Sequence, residues 1–201
     1  DIPSSGSGLG SSSALTVGLT NALRKIQHKK INKKILGQEA SKIEIINCDK
    51  PIGMQDHYAA AYGGFNSILF KKDKTVTVKK IKITNHRMNN FKDHLMMFYS
   101  GINRKADKIL GKIKKEKKEN TNYEKLSNLA RDFEYELING NLLNLGSILH
   151  ENWILKRNLH KIVSNLSLNK IYEDAMSAGA IGGKLLGAGG GGYFLFFVER
   201  E

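Results

Sequence analysis

Two acidic side chains and one hydroxyl-rich loop are the parts of this chain best suited to chemistry on phosphate. Residues 6–13 read GSGLGSSS, and residues 4–13 hold three glycines and six serines. A glycine-dense turn that runs straight into a helix can aim several backbone N–H groups inward. The first N–H groups of a helix have no partner within it, so phosphate is a natural guest there. The loop is not a Walker motif, because no lysine follows its last glycine, and Ser11 stands where a dinucleotide fingerprint needs glycine. The anion-binding set is therefore Gly6, Ser7, Gly8, Leu9, Gly10, Ser11, Ser12 and Ser13. A flexible linker is disfavoured by the apolar helix that follows at once. A serine N-cap needs only one of these hydroxyls.

Phosphoryl transfer needs a divalent cation, oxygen ligands for it, and a group that positions the attacking hydroxyl. Magnesium takes few protein ligands, so one serine hydroxyl and one carboxylate suffice. Glu44, in KIEII, and Asp56, in IGMQDHYAAAYGG, are carboxylates in apolar surroundings. Two other readings stay open on spacing alone: an exposed helix carboxylate for Glu44, and an N-cap near His57 for Asp56. A second glycine cluster, GAIGGKLLGAGGGGYFLFF, spans residues 179–197 and includes Gly189, Gly190, Gly191 and Gly192. A tight turn needs one or two such residues; a run of four suggests that something packs against the backbone.

These residues must be carried by ordered elements. Leu15, Leu19, Ala22 and Ile26 recur with helical period and predict a helix with that stripe buried. Leu36, Ala40 and Ile43 predict a second. Residues 49–64 read as a loop with a short helix, and FNSILF and TVTVKKIKIT as antiparallel strands across a KKDK turn. The pattern breaks over TNHRMNNFK (84–92), which divides the chain into 1–84 and 85–201. LMMFYS (95–100) reads as a buried strand. Mostly helical sequence follows to about Asn165, with Leu126, Leu129, Phe133 and Leu137 facing inward. A last helix near Lys170–Ala178 leads into the glycine cluster and the strand YFLFFV. The class is α+β.

The 201 residues carry a net charge of +13. That invites a nucleic-acid reading, but the lysines sit in runs such as HKKINKK (28–34) and around 112–118 without interleaved aromatics. Solvated helical faces explain them better, and the charge can steer anionic substrates. No apolar run approaches membrane-spanning length and no signal peptide is visible. The single cysteine, Cys48, predicts a reducing, cytoplasmic setting. The chain opens with aspartate in what reads as the middle of a loop, so an N-terminal part is expected to precede it.

Taken in order, IPSSGSGLGSSSALTVGL, IGMQDHYAAAYGGFNSILF, LMMFYSGINRKADKIL, LHENWILKRNL and GAIGGKLLGAGGGGYFLFF resemble the GHMP family of small-molecule kinases. Within it they look most like the D-glycero-D-manno-heptose 7-phosphate kinases. The resemblance implies a partial ribosomal-S5-like, ATP-binding lobe over 1–84 and a ferredoxin-like lobe over 85–201. The implied reaction moves the γ-phosphate of ATP, with Mg2+, to a sugar hydroxyl. For the heptose enzymes this is the anomeric hydroxyl of the 7-phosphate, giving a 1,7-bisphosphate on the way to a nucleotide-activated sugar for surface polysaccharide. By the same resemblance Gly8 to Ser11 cradle phosphate, Ser12 and Glu44 hold magnesium, and Asp56 serves the acceptor hydroxyl as base or electrostatic anchor. Gly189–Gly192 stabilise the loop and line the substrate side, and Arg104, in SGINRKA, meets the sugar phosphate. The partners implied are ATP and a small sugar phosphate, with neither nucleic acid nor membrane, and a homodimer stays open. A fucose- or galactose-type kinase, a non-catalytic nucleic-acid binder and a catalytically silent relative are the competing readings.

Overall fold

A computed structural model describes residues 7–103, 106–115 and 122–199. The chain forms two compact units, Gly10–Ile81 and Lys82–Glu201 together with Asp1–Leu9.

The unit Gly10–Ile81 begins with α1 (Ser11–Ile26), α2 (Lys33–Lys42) and α3 (Gln55–Tyr62), which pack on one another. Asn32 caps α2 by accepting the N–H of Ile35 at 2.8 Å, one of the donors a helix start leaves unpaired. Val17, Leu36 and Ala40 form its small core. Gly37 lets the backbone of α2 approach the ring of Tyr58, which a Cβ would meet at 3.2 Å.

The stripe predicted for α1 is on the wrong face. Leu15 and Leu19 are 64% and 56% exposed, and Leu23 and Ile26 are also exposed, whereas Ser13, Val17 and Thr20 are buried. The inward face is the one whose polar groups have partners. Ser13 reaches Glu44, and Arg24 pairs through two nitrogens with the Glu39 carboxylate on α2. The α2 stripe also shifts by one residue. After Lys42 the helix widens into a π turn, Ile43–Asn47, a feature frequent at functional sites. Leu36, Ala40 and Glu44 follow one another at i, i+4 and i+8 on the buried side, while Ile43 is exposed.

The strands β1 (Asn66–Phe70) and β2 (Val76–Lys80) pair antiparallel, with Asn66 opposite Lys80 and Phe70 opposite Val76. Their turn falls on the expected KKDK. Lys74 takes a positive φ of 66°, and Asp73 accepts the Thr75 N–H at 2.9 Å.

The other unit holds α4 (Asn85–Asp93), β3 (Leu95–Tyr99), α5 (Ala106–Lys115), α6 (Asn122–Asn139), α7 (Asn144–Arg157), α8 (Leu166–Ser177), β4 (Ala180–Leu185) and β5 (Tyr193–Val198). The sheet is antiparallel in the order β3-β5-β4. Trp153, Val163, Leu168, Tyr172, Leu185, Phe194 and Phe196 make its core, with the Trp153 ring edge-on to Phe194 at 5.8 Å. Leu129 and Leu137 of α6 are buried, as the helical period predicts.

β3 is a strand, but its predicted burial is not found: Met96, Met97, Phe98 and Tyr99 are all exposed. It is an edge strand, bonded only to β5 among the described strands. Apolar composition alone does not distinguish an edge from a centre.

Candidate active site

The mouth of α1 lies in the unit Gly10–Ile81. Gly10 is its N-cap residue, in the left-handed conformation (φ 74°, ψ 20°), and no side chain caps the helix. The first helical hydrogen bond runs from the Ala14 N–H to the Gly10 carbonyl at 2.9 Å. The N–H groups of Ser11, Ser12 and Ser13 thus precede the intrahelical ladder and point out of the helix start. Serine capping is excluded for this helix, because its N-cap is Gly10 and no side chain bonds its first N–H groups; the hydroxyls of Ser12 and Ser13 go to Glu44.

Glu44 is the centre of the cluster. It is only 3% exposed, which excludes the surface-carboxylate reading. Its Oε1 accepts from Ser12 Oγ and from Lys50 Nζ, the latter at 2.8 Å. Its Oε2 accepts from Ser13 Oγ at 3.2 Å and faces His57 Nε2 at 2.7 Å. Because an ionised carboxylate only accepts, His57 Nε2 carries the proton of that bond. Burial pushes the Glu44 carboxyl upward, but the bonds from Lys50, Ser12 and His57 overcome it and hold the group at about 2.

Asp56 completes the cluster. It lies in the first turn of α3, whose N-cap is Met54 with no side-chain bond, so Asp56 is not a helix cap. A Cβ added to Gly10 would lie 3.3 Å from the Cβ and Cγ of Asp56 and 3.5 Å from its Oδ2. The fold therefore brings Gly10, Ser12, Ser13, Glu44 and Asp56 to one end of α1. Among these, Ser12 Oγ and the Glu44 carboxylate form a hard-oxygen pair of the type magnesium prefers, and a cation, Lys50 Nζ, already bonds both, at 3.2 Å and 2.8 Å. The donor set fits a divalent ion that takes its remaining ligands from phosphate and water. No group of three or more His, Cys, Asp or Glu poised for a metal exists among the described residues.

Lys50 and His57 are the members that sequence reasoning missed. His57 is fully buried, and its Nδ1 has no hydrogen-bond partner among the described residues. The available signal was position: Lys50 stands six residues after Glu44, and His57 directly follows Asp56.

The remaining predicted residues lie in the other unit or outside the described residues. Ser7 is buried and its Oγ accepts the Leu9 N–H at 3.3 Å, while Gly8 has φ 79°. Gly6 and Arg104 are outside the described residues. Gly189–Gly192 form the β4–β5 turn, all at positive φ. What packs against that turn is the chain itself. Added Cβ atoms on Gly189 and Gly190 would meet Val163 and Ile109. The Gly190 N–H donates to Val163 O at 2.8 Å and the Gly192 N–H to Ile102 O at 2.9 Å. Lys156 Nζ anchors the start of the turn, donating to the carbonyls of Leu185 (2.8 Å) and Gly187 (2.6 Å). Gly182 serves packing, since its Cβ position is filled by the Gly146 carbonyl of α7.

A separate cleft of about 430 Å³ is lined by Arg87, Asn90, His94 and residues 140–143. Its guanidinium is already spent on the carbonyls of Glu136, Leu137 and Gly140 at the end of α6.

The α+β chain thus gathers a serine–glutamate pair and an aspartate at one helix mouth. Its residues 1–64 match the GHMP kinases N terminal domain and residues 133–201 the GHMP kinases C terminal domain. The chain belongs to the GHMP kinase family. It is 33% identical over 202 residues to the D-glycero-alpha-D-manno-heptose 7-phosphate kinase of Campylobacter jejuni, covering 99% of this chain and 59% of that protein. With the galactokinase of Pyrococcus furiosus it shares 26% identity, covering 100% of this chain and 63% of the relative. Among solved structures, a D-glycero-D-manno-heptose 1-phosphate kinase from Bacteriodes thetaiotaomicron superposes with a TM-score of 0.70 at 26% identity, covering 97% of this chain and 54% of that one. The chain thus spans less than two thirds of the length of these relatives. No helix among the described residues is long and apolar enough to cross a membrane.

Proposed function

We propose that this chain belongs to an ATP-dependent sugar-phosphate kinase and supplies its phosphate- and metal-binding machinery. The observation that carries the reading is the convergence of Ser12, Ser13 and buried Glu44 at the uncapped start of α1, beside Asp56. In this role the N–H groups of Ser11–Ser13 hold phosphate oxygens, helped by the positive end of the helix. Gly10 continues the cradle; Gly8 and Leu9 are assigned to it by family resemblance, and Gly6 and Ser7 by the glycine-hydroxyl composition of residues 6–13. Ser12 Oγ and the Glu44 carboxylate hold Mg2+, which supplies charge neutralisation of the transferring phosphoryl group. Asp56 orients the acceptor hydroxyl and takes or stabilises its proton. Arg104 and Gly189–Gly192 are assigned to the sugar phosphate, on family resemblance.

The acceptor we favour is the anomeric hydroxyl of D-glycero-D-manno-heptose 7-phosphate, giving the 1,7-bisphosphate toward a nucleotide-activated heptose. Its support is the identity to the Campylobacter jejuni protein of that name. A cytoplasmic setting, where ATP is available, accords with this role. The test is phosphoryl transfer from ATP to heptose 7-phosphate, galactose and fucose, compared side by side. Turnover confined to the phosphorylated sugar supports the assignment, and preference for a free hexose overturns it.

A further inference from the structure

The Glu44 carboxylate has no vacancy. Each of its oxygens meets two partners, Ser12 and Lys50 at Oε1, Ser13 and His57 at Oε2, which fills the roughly four lone-pair sites of a carboxylate. A divalent cation cannot join this group without expelling one of the four. His57 and Ser13 are buried and held by the packing of α1, α2 and α3. Lys50 differs: its side chain is 34% exposed, on a flexible four-carbon stem, in the loop between the π turn and α3. Its ammonium also bonds Ser12 Oγ, at 3.2 Å. It thus sits on both of the oxygens that a metal would use.

Resting on the reading of Ser12 and Glu44 as metal ligands, we propose that Lys50 is a displaceable counter-ion of this site, so that a divalent cation binds by exchange with its ammonium. In the metal-free protein Lys50 neutralises a buried carboxylate that would otherwise stand uncompensated. On metal entry it swings to solvent, and Ser12 Oγ and Glu44 Oε1 turn their lone pairs to the ion. The exchange sets the concentration of divalent ion at which the site fills.

The test measures Mn2+ binding to the 201-residue chain, without nucleotide, by loss of the free-ion electron paramagnetic resonance signal. Lys50→Met and Lys50→Gln are compared with the parent and with Glu44→Gln. Removing a competing charge that bonds both ligands is expected to tighten Mn2+ binding roughly tenfold or more. Either variant suffices if it keeps the parent's circular dichroism, and Glu44→Gln is expected to lose binding. Unchanged or weaker binding in the folded Lys50 variants, with Glu44→Gln still losing it, overturns the exchange while leaving the metal site standing. Parent-like binding by Glu44→Gln overturns the metal site itself, and the exchange with it.

Discussion

Gly10 and Asp56 occupy one another's space: a single carbon added to Gly10 would come within 3.3 Å of the Asp56 side chain. The contact ties the residue that opens α1 to the carboxylate that begins α3. Gly10 also holds φ 74°, a conformation that costs an L-residue roughly 1–2 kcal/mol.

Gly10→Ala therefore carries two penalties, backbone strain and pressure on Asp56. The expected outcome is destabilisation of about 1–2 kcal/mol together with weaker binding of an ATP analogue. Urea unfolding and calorimetric titration check both. A fully stable variant with parent-like nucleotide affinity would show that neither the φ nor the contact matters.

Asp56→Asn keeps the shape and removes the carboxylate charge proposed to serve the acceptor hydroxyl. Turnover is expected to fall by roughly 10²–10⁴-fold, while affinity for a non-hydrolysable ATP analogue changes little. Parallel kinetics and titration separate the two, and unaltered turnover removes Asp56 from the mechanism.

Glu44 gives the protein an acid limit. Its folded-state value of about 2 lies below the ordinary 4.5, so as pH falls the unfolded chain takes up this proton first and unfolding gains. The contribution is present above about pH 4.5 and is lost on the way to about pH 2, amounting to a few kcal/mol, on the order of 3. Unfolding free energy measured across that window should fall more steeply for the parent than for Glu44→Gln. Identical slopes would contradict the bonds assigned to this carboxylate.

Lys156→Met removes the ammonium that holds the carbonyls of Leu185 and Gly187. Bonds from a charged donor contribute roughly 1.5–3 kcal/mol, so a loss of that order is expected. Hydrogen exchange of the amides in 187–192 should rise at the same time. Unchanged exchange would mean that Val163 and Ile102 alone hold the turn.

The Gly8–Ser13 loop stands out in the sequence by its composition. Glu44 and Asp56 are marked there only as carboxylates in apolar surroundings, and it takes the fold to show that Glu44 is buried and that Asp56 is not a helix cap. The hairpin across KKDK and the α6 stripe were legible because their periods are clean. Lys50 was hidden among 32 basic residues, where nothing local marks the one whose ammonium meets a buried carboxylate. The α1 stripe misled for a different reason. That helix carries two faces able to pack, and Ser13, Val17 and Thr20 win because Glu44 and Arg24 find partners only on that side. Exposure of β3 depends on which strands neighbour it, which no residue of LMMFYS encodes. The four-glycine run marks a backbone against which something packs, and at Gly189 and Gly190 that something includes Val163 and Ile109, whose positions in sequence give no hint of it.

The proposed function rests on amide hydrogens and a serine–glutamate pair at one helix start acting together on a metal-bound nucleotide. The most direct test is calorimetric titration of an ATP analogue, with and without Mg2+, into the parent, Ser12→Ala and Glu44→Gln. Magnesium should strengthen binding in the parent and have little effect in both variants. Equal magnesium enhancement in all three would contradict the account.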